Sequence, residues 1–593
     1  MALFAPSQSP AVIVKEVDLT GGVPNVQTST GMYVGKFMWG PAEQRRLIAN
    51  EEELSQVYGT PNNSHSIDYH DAAYFLRYSN TLQMSRIVDS DAANATATTG
   101  QTSAYAVGTY TKPQVKNEAN FLNQQSALDS DGHTFVARFP GTLGNSIRVS
   151  ICPPSISDSA FDGWTYKGSF DAAPGTSTFA SNNDATNDEV HVAIVDVNGE
   201  FSGTKGTVLE TYPYVSVATN AVNADDGGNI YVKDIINTNS EYVHFIDFDS
   251  NFTNFGNAGT AITPGTTKDF LGTAVQTSAT VNFEFDSGVD TGTLTTGRYL
   301  GGFDLFEDKD VVEVDFLIAP GMTSRADQTT VVNDLIAMAA SRKDCVVVSG
   351  PARDDIVNKY SAATVTTNLV ATAESFTRSS YNIVAGNYLK VYDKYNDKFI
   401  DIPANSSVAG LMAETDRIAA PWFSPAGTRR GQLLGVTSLL FNPNKTRRDT
   451  LYKSGINPIV NLPGQGILLF GDKTGLARPS AFDRINVRRL FLTLERAIER
   501  AAKNVLFEFN DEFTRAEFVN IIEPVLRDVK GRRGITDFRV IADETVNTPA
   551  VIDRNEFIAN ILIKPARSIN FITLNFVAVR TGVSFEEIAG QAF

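Results

Sequence analysis

Apolar residues recur along this chain with two different periods, and each change of period marks an element. Ala11 to Leu19, AVIVKEVDL, is rich in β-branched residues, begins after Pro10 and stops at Gly21-Gly22, so it reads as a strand within an N-terminal arm. Met32 to Trp39 reads as a second strand, closed by Gly40-Pro41. Asn50 is placed to cap a short helix with Glu51, Glu52 and Glu53 in its first turn, where carboxylates meet the positive end of the helix dipole. Asp68 to Tyr78 reads as a further helix and Thr81 to Val88 as a strand. From Asp91 to about Gly301, Thr, Ser, Asn, Asp, Ala and Gly dominate. Short alternating pieces such as Val190 to Val197 and Glu241 to Phe248 predict brief strands joined by polar loops.

At Val311 the pattern tightens again. VVEVDFLI predicts a buried strand ending at Ala319-Pro320-Gly321. Ala326 to Arg342 places Val331, Leu335, Met338 and Ala339 on one helical stripe, and Cys345 to Val348 is a second apolar strand. Strand, helix, strand at this spacing predicts a βαβ unit with parallel pairing. Short helices and strands follow to about Tyr452. The most regular helix is C-terminal: Val487, Leu490, Phe491, Leu494, Ile498, Ala501 and Val505 fall on one face, and Arg484, Arg488, Arg489, Arg496, Arg500 and Lys503 on the other, with Glu499 and Lys503 as a supporting pair. Glu556 to Ile563 and Ile569 to Val579 then alternate around Pro565-Ala566-Arg567-Ser568, which predicts a hairpin. There is no internal repeat and no heptad run.

The expected fold class is therefore mixed α+β and multidomain. It has an α/β core, a C-terminal domain of helix plus β-hairpin, and an inserted, mostly β outer region. The chain of 593 residues is long enough for several domains. No apolar run approaches the roughly 20 residues of a membrane span. No Lys or Arg precedes the first apolar stretch, and Pro6 and Pro10 interrupt it, which argues against a secretory signal. Two cysteines, Cys152 and Cys345, are too few for a disulfide framework and read as reduced thiols. The net charge of −17 is uneven: Ile151 to Leu300 holds 5 Lys/Arg against 19 Asp/Glu, whereas Leu451 to Phe593 holds 19 against 17. A middle region this acidic repels nucleic acid and resists non-specific association.

No catalytic, cofactor or metal site emerges. Gly466 to Thr474, GILLFGDKT, falls short of a phosphate loop. Asp472 stands where Lys must directly follow the second Gly, and the four spacer residues are bulky and apolar, as in a strand entering a turn. His65, His70, His133, His191 and His244 form no metal-binding spacing. Asp89-Ser90-Asp91 and Asp247-Phe248-Asp249 lack the Gly and distal Glu of a calcium loop. No GxSxG occurs. Cys345, in CVVV, reads as a buried thiol. The basic helix face has two main readings, a solvated surface or a contact with an acidic protein. Glu495, Glu499 and the lack of stacking aromatics weigh against nucleic acid. The arm also has two readings, a strand within its own chain or one added to a sheet edge of another subunit.

STGMYVGKFMWGPAEQRRLIANEEELSQVYGTP, with AAYFLRYSNTLQMSRIVD after it, resembles the opening module of contractile tail sheath proteins of T-even-like bacteriophages. The residues carrying the resemblance are Gly35, Lys36, Phe37, Trp39, Gly40, Pro41, Tyr58, Gly59, Pro61, Phe75, Leu76, Tyr78, Arg86 and Asp89. GILLFGDKTG, FDRINVRRLFLTLERAIERAAKNVLFEFND and FIANILIKPARSINFITLNF extend the resemblance through the C-terminal third, while Ala92 to Gly301 shows no matching motif. The resemblance implies a structural virion protein without enzymatic activity or cofactor, assembled in host cytoplasm. It implies stacked hexameric rings around a tail tube, between baseplate and tail terminator proteins, with no nucleic-acid partner and no membrane insertion. Contraction would then drive the tube through the host envelope. A bacteriocin or secretion machine of phage descent would use the same sheath, and an enzyme using the Gly466 turn or an adhesin using the acidic region are readings from other classes. The implied division is an intersubunit arm over 1–22, with Val12, Ile13, Val14 and Val17 as its pairing residues; a sheath module over 23–91 and 302–455; an inserted peripheral region over 92–301; and a tube-proximal assembly domain over 456–593. Arg484, Arg488, Arg489, Lys503, Lys530, Arg532 and Arg533 are the tube-facing candidates.

Overall fold

The computed structural model describes residues 29–98, 112–130, 133–154, 158–183, 187–246 and 280–568. The chain divides into two compact units: Pro24–Pro421 with Pro425–Glu499, and Met1–Val23 with Trp422–Ser424 and Arg500–Phe593.

The larger unit begins with β1 (Gly31–Gly35), β2 (Arg45–Ile48), helices α1 (Glu51–Tyr58) and α2 (Ser66–Leu76), and β3 (Leu82–Arg86). The Asn50 carboxamide accepts from the Glu53 amide at 2.8 Å, and the Glu53 carboxylate accepts from the Ala49 amide at 2.8 Å. Two orphan donors at the start of α1 are thus satisfied, much as in a capping box. After the inserted region come β4 (Phe316–Ile318), α3 (Arg325–Arg342), β5 (Val346–Ser349), α4 (Ala362–Ser375), β6 (Asn382–Ala385), a hairpin of β7 (Tyr388–Asp393) and β8 (Lys398–Pro403), α5 (Asn405–Ile418), α6 (Lys445–Lys453) and β9 (Ile456–Asn457).

Seven of these strands make one sheet in the order β9-β6-β5-β4-β1-β3-β2, parallel except for β2. β1 lies between β3 and β4: Gly31 is opposite Leu82 on one side and Phe316 on the other. Segments 285 residues apart therefore share one ladder. The predicted βαβ unit is present, with Phe316, Leu317 and Ile318 in register with Val346, Val347 and Val348. Its first strand is shorter than VVEVDFLI predicts. Arg342 donates to the Val312 carbonyl and Arg496 to the Val314 carbonyl, so these acceptors leave the ladder.

Each face of the sheet is covered. Tyr33, Phe75, Ile318, Val348, Val408 and Met412 pack on one side, and Val34, Leu317, Val331, Leu335, Val347 and Leu369 on the other. Side chains such as Val331 and Leu335, both 0% exposed, contribute about 1.5–3 kcal/mol each by leaving water. β9 closes the sheet, and the chain stays with this unit to Glu499.

The region after β3 is largely β among the described residues. Val281–Glu284, Ile147–Cys152, Glu189–Asp196 and Thr207–Ser216 form a four-stranded antiparallel sheet, and Thr96–Thr98, His133–Ala137 and Val243–Phe245 a three-stranded one. It is not attached by chain ends alone. The Trp39 indole packs edge-on against Phe139 and Phe201, and the fully buried Arg86 guanidinium donates to the carbonyls of Phe37, Gly40 and Pro140 at 2.9, 2.8 and 2.6 Å.

In the smaller unit, α7 is the helix Ile485–Ala502, whose last turn reaches into it, and α8 spans Glu512–Gly531. β10 (Ile535–Ile541) pairs antiparallel with β11 (Asn560–Pro565). Trp422 packs beside Gly534 and donates its indole N–H to the Arg532 carbonyl at 3.1 Å.

Leu335→Ala should lower the unfolding free energy of the larger unit by about 2–5 kcal/mol in urea titration followed by fluorescence. Burial raises both thiols, Cys152 up to about 12 and Cys345 further. A thiol reagent at pH 8 should therefore label neither cysteine until the chain is unfolded.

Candidate assembly surfaces

α7 was the most regular helix in the sequence, and its apolar stripe is placed as predicted, with Val487, Leu490, Leu494 and Ala501 buried. Its basic side is not the open face that the helical wheel suggests. Arg489 lies buried in a two-pronged pair with Asp416 of α5, with Nη1–Oδ1 at 2.6 Å, and also donates to the Met412 carbonyl. Arg496 pairs with buried Asp315 at 2.6 Å and donates to the carbonyls of Val314 and Asp344. Arg488 is held between the rings of Tyr381 and Phe482, with its guanidinium carbon 4.4 and 4.1 Å from their centroids, and donates to the Ser380 hydroxyl. Burial lowers its pKa. Burial also pushes the Asp315 carboxyl up to about 6, against the opposing pull of Arg496.

Arg488 and Arg489 are thus interior groups, and their place among the surface candidates is corrected. The physical reason is that carboxylates and rings from α5, the β4 entry and the loop after α4 close over the helix, which a wheel drawn on one helix cannot register. Arg484 is half-covered, paired with Asp472 at 2.9 Å and bonded to the Tyr452 hydroxyl. Lys503, Lys530, Arg532 and Arg533 are exposed on the smaller unit. Lys530 lies 3.5 Å from Asp537, and Arg532 stacks over Trp422 at 5.1 Å. Arg533 sits in the left-handed region at φ 67°.

The Gly466–Thr474 segment is tied inward. Gly466–Leu469 pairs antiparallel with Ile459–Leu462. Asp472 accepts from Tyr452 and Arg484, and the Lys473 ammonium donates to the Tyr452 carbonyl at 2.8 Å. Lys473 is thereby committed to a protein carbonyl instead of being aimed into an open loop. Among the described residues no group of three or more metal-ligating side chains comes together.

The C-terminal hairpin is described only in part. Its first strand starts at Asn560 instead of Glu556, because Asn547 exchanges two hydrogen bonds with the backbone of Ile558, both 2.8 Å, and holds that stretch to a loop. Ile569 to Val579 and the arm residues Val12, Ile13, Val14 and Val17 lie outside the described residues. Phe538, Val540, Ile561 and Ile563 form the better covered face of the β10–β11 pair, while Arg539 and Leu562 are exposed.

Sequence reading passed over one feature. α7 ends at Ala502 and a short 3₁₀ turn follows, so Leu506 to Asp511, LFEFND, is not helical, and Glu512 and Phe513 open α8. Leu506, Phe507, Phe509 and Phe513 are 61%, 104%, 85% and 77% exposed. The signal was available as apolar residues alternating with Glu508, Asp511 and Glu512 after the helical stripe had ended.

Two family models match this chain, the phage tail sheath protein central domain over residues 292–475 and the phage tail sheath C-terminal domain over 477–578. The tail sheath protein of Vibrio phage KVP40 is 32% identical over 98% of this chain and 99% of its own length. The chain belongs to the phage tail sheath protein family. The tail sheath proteins of Enterobacteria phage T4 and Salmonella phage ViI are 31% and 32% identical, covering 98% and 99% of this chain and 99% and 98% of their own. The sheath fold is also seen in crystal structures at lower identity. The sheath tail protein of Listeria innocua superposes with a TM-score of 0.53 over 92% of this chain and 94% of that one, at 13% identity. That of Desulfitobacterium hafniense gives 0.50 over 94% and 100%, at 12% identity. The resemblance seen at the two ends of the sequence thus extends through the region 92–301, where no motif was legible.

Arg489→Ala removes the two-pronged guanidinium contact from the buried Asp416 carboxylate and should cost the larger unit about 3–5 kcal/mol. Lys530→Ala should leave the denaturation midpoint unchanged within error. Equal, small effects of both changes would contradict the interior placement of Arg489.

Proposed function

We propose that copies of this chain form the contractile sheath around the inner tube of a phage tail, and that contraction drives the tube through the host envelope. The observation that carries this reading is the identity of 31–32% with tail sheath proteins over nearly the full length of both partners. On this reading the chain is a virion component that works by changing its contacts with neighbouring copies, as a lattice with two arrangements.

The smaller unit is the assembly unit in this reading. Among the described residues its sheet has two strands, so each has an edge that no described strand covers. A strand added from the Ala11–Leu19 arm of a neighbouring copy would extend the ladder and supply partners for edge N–H and C=O groups. The exposed cations Lys503, Lys530, Arg532 and Arg533 are the charges proposed to meet an acidic tube surface. Exposed charge contacts are individually weak, about 0–1 kcal/mol, and salt screens them. Many of them repeated along a tube hold it before firing and yield stepwise during sliding.

Purified chain mixed with tail tubes of the same phage should give sheathed, striated cylinders in negative-stain images. Removing Met1 to Thr20 should leave folded chain that no longer polymerises. Reversing Lys503, Arg532 and Arg533 to Glu should weaken assembly on tubes and leave self-polymerisation intact. Unchanged assembly on tubes at every salt concentration would remove these cations from the tube contact.

A further inference from the structure

The loop between α7 and α8, with the first turn of α8, exposes more aromatic surface than any comparable stretch among the described residues. Leu506, Phe507, Phe509 and Phe513 stand outside the core, and Phe507 is held at φ 73°, a backbone region that bulky side chains rarely adopt. The loop is also fastened. The Asn510 carboxamide donates to the Glu556 carbonyl at 2.7 Å and accepts from Arg515 at 3.0 Å, and the Asp511 carboxylate accepts from the Thr514 amide at 2.8 Å as the cap of α8. Rings presented on a bonded loop lose little further freedom when they dock. An exposed apolar cluster of this kind marks an interaction site.

Its charge selects the partner. Glu508, Asp511 and Glu512 are exposed among the rings. Two such loops placed face to face would set carboxylate against carboxylate, so a self-complementary contact is disfavoured. The surface that fits is apolar with a basic rim. The chain carries a basic surface of this kind on α6, KTRRDTLYK, where Lys445, Arg447, Arg448 and Lys453 surround a single carboxylate, Asp449, and its apolar part is the neighbouring Phe470 ring. None of these four cations is in an ion pair among the described residues. Beside them Phe470 is 45% exposed, with the Arg448 guanidinium 5.4 Å from its ring centroid.

We infer that the Leu506–Phe513 loop of one copy docks on the α6–Phe470 surface of a second copy, aromatic rings against Phe470 and Glu508 and Glu512 against Lys445 and Arg448. The contact joins different surfaces of identical chains, so it repeats head to tail and builds rings or helical filaments instead of closed pairs. It deepens the sheath reading and rests on it for one point, that the chain polymerises.

The test uses the full chain, with polymer measured by sedimentation and negative-stain imaging. Replacing Phe507, Phe509 and Phe513 with Ser should raise the critical concentration about tenfold or more, with circular dichroism and the thermal midpoint unchanged. Glu508→Lys with Glu512→Lys should weaken polymerisation, as should Lys445→Glu with Arg448→Glu, and all four changes in one chain should restore it. Chains carrying Glu508→Cys mixed with chains carrying Arg448→Cys should cross-link under oxidation, the native cysteines being buried. Polymerisation of the Ser variant at the wild-type concentration overturns the contact. A fourfold-changed chain no better than either pair overturns the choice of α6. Normal self-polymerisation of the Ser variant with loss of assembly on tubes overturns it in favour of a tube contact. Wild-type chain that never polymerises overturns the sheath reading and this contact together, whereas the variant outcomes overturn the contact alone.

Discussion

The parallel pairing of β1 between β3 and β4 is the constraint on which the rest of the larger unit depends. One strand joins the first described segment to a second that begins more than two hundred residues later. The intervening chain must leave the sheet and return to it, and so forms its own sheets outside. The fit at this strand is close. A Cβ on Gly31 would stand 2.5 Å from the Phe75 ring, so no larger residue fits unless that buried ring shifts. The Asp315 carboxylate accepts the Thr30 amide at 2.9 Å just before the ladder begins, which fixes where β1 enters.

That same Asp315 receives Arg496 of α7, so the sheet and the long helix are registered through one carboxylate. Arginine serves as internal fastening throughout this unit. Arg86 bridges the turn after β1 to Pro140 of the outer region, and Arg342 holds the carbonyls of Phe306 and Val312 together with Asp344. Guanidinium suits this role because its planar fork reaches several acceptors at once and stays charged where an amine would shed its proton. Even at Arg86, where burial lowers the pKa to about 10, the group is cationic at neutral pH. The cost of desolvating each guanidinium is offset only while every acceptor is in place, which makes these groups specify one arrangement of the segments.

The two units divide the work differently. The larger unit buries ion pairs such as Arg489–Asp416 and Arg496–Asp315, whereas the smaller unit leaves Leu506, Phe507, Phe509 and Phe513 and the cations Lys503, Lys530, Arg532 and Arg533 exposed. A body stitched by buried ion pairs can move as a rigid piece, and weaker contacts at its surface can be broken and remade.

The sequence by itself determined the local elements whose cause is local. Asn50 with Glu53 announces the start of α1, and the stripe of Val331, Leu335 and Met338 announces α3. The apolar spacing of α7 and the mixed α+β class are equally direct, because period and capping depend on neighbours within a few residues. The resemblance at both ends was legible for the same reason, in short runs such as GKFMWGP and GILLFGDKTG. Tertiary structure alone decided which strand lies beside β1, since pairing across 285 residues leaves no local trace. It decided that Arg488, Arg489 and Arg496 are interior, since their partners Ser380, Asp416 and Asp315 come from other elements. It decided also that LFEFNDEF is exposed. An apolar residue is placed inside or outside by what packs over it, and among the described residues nothing covers Phe507 and Phe509.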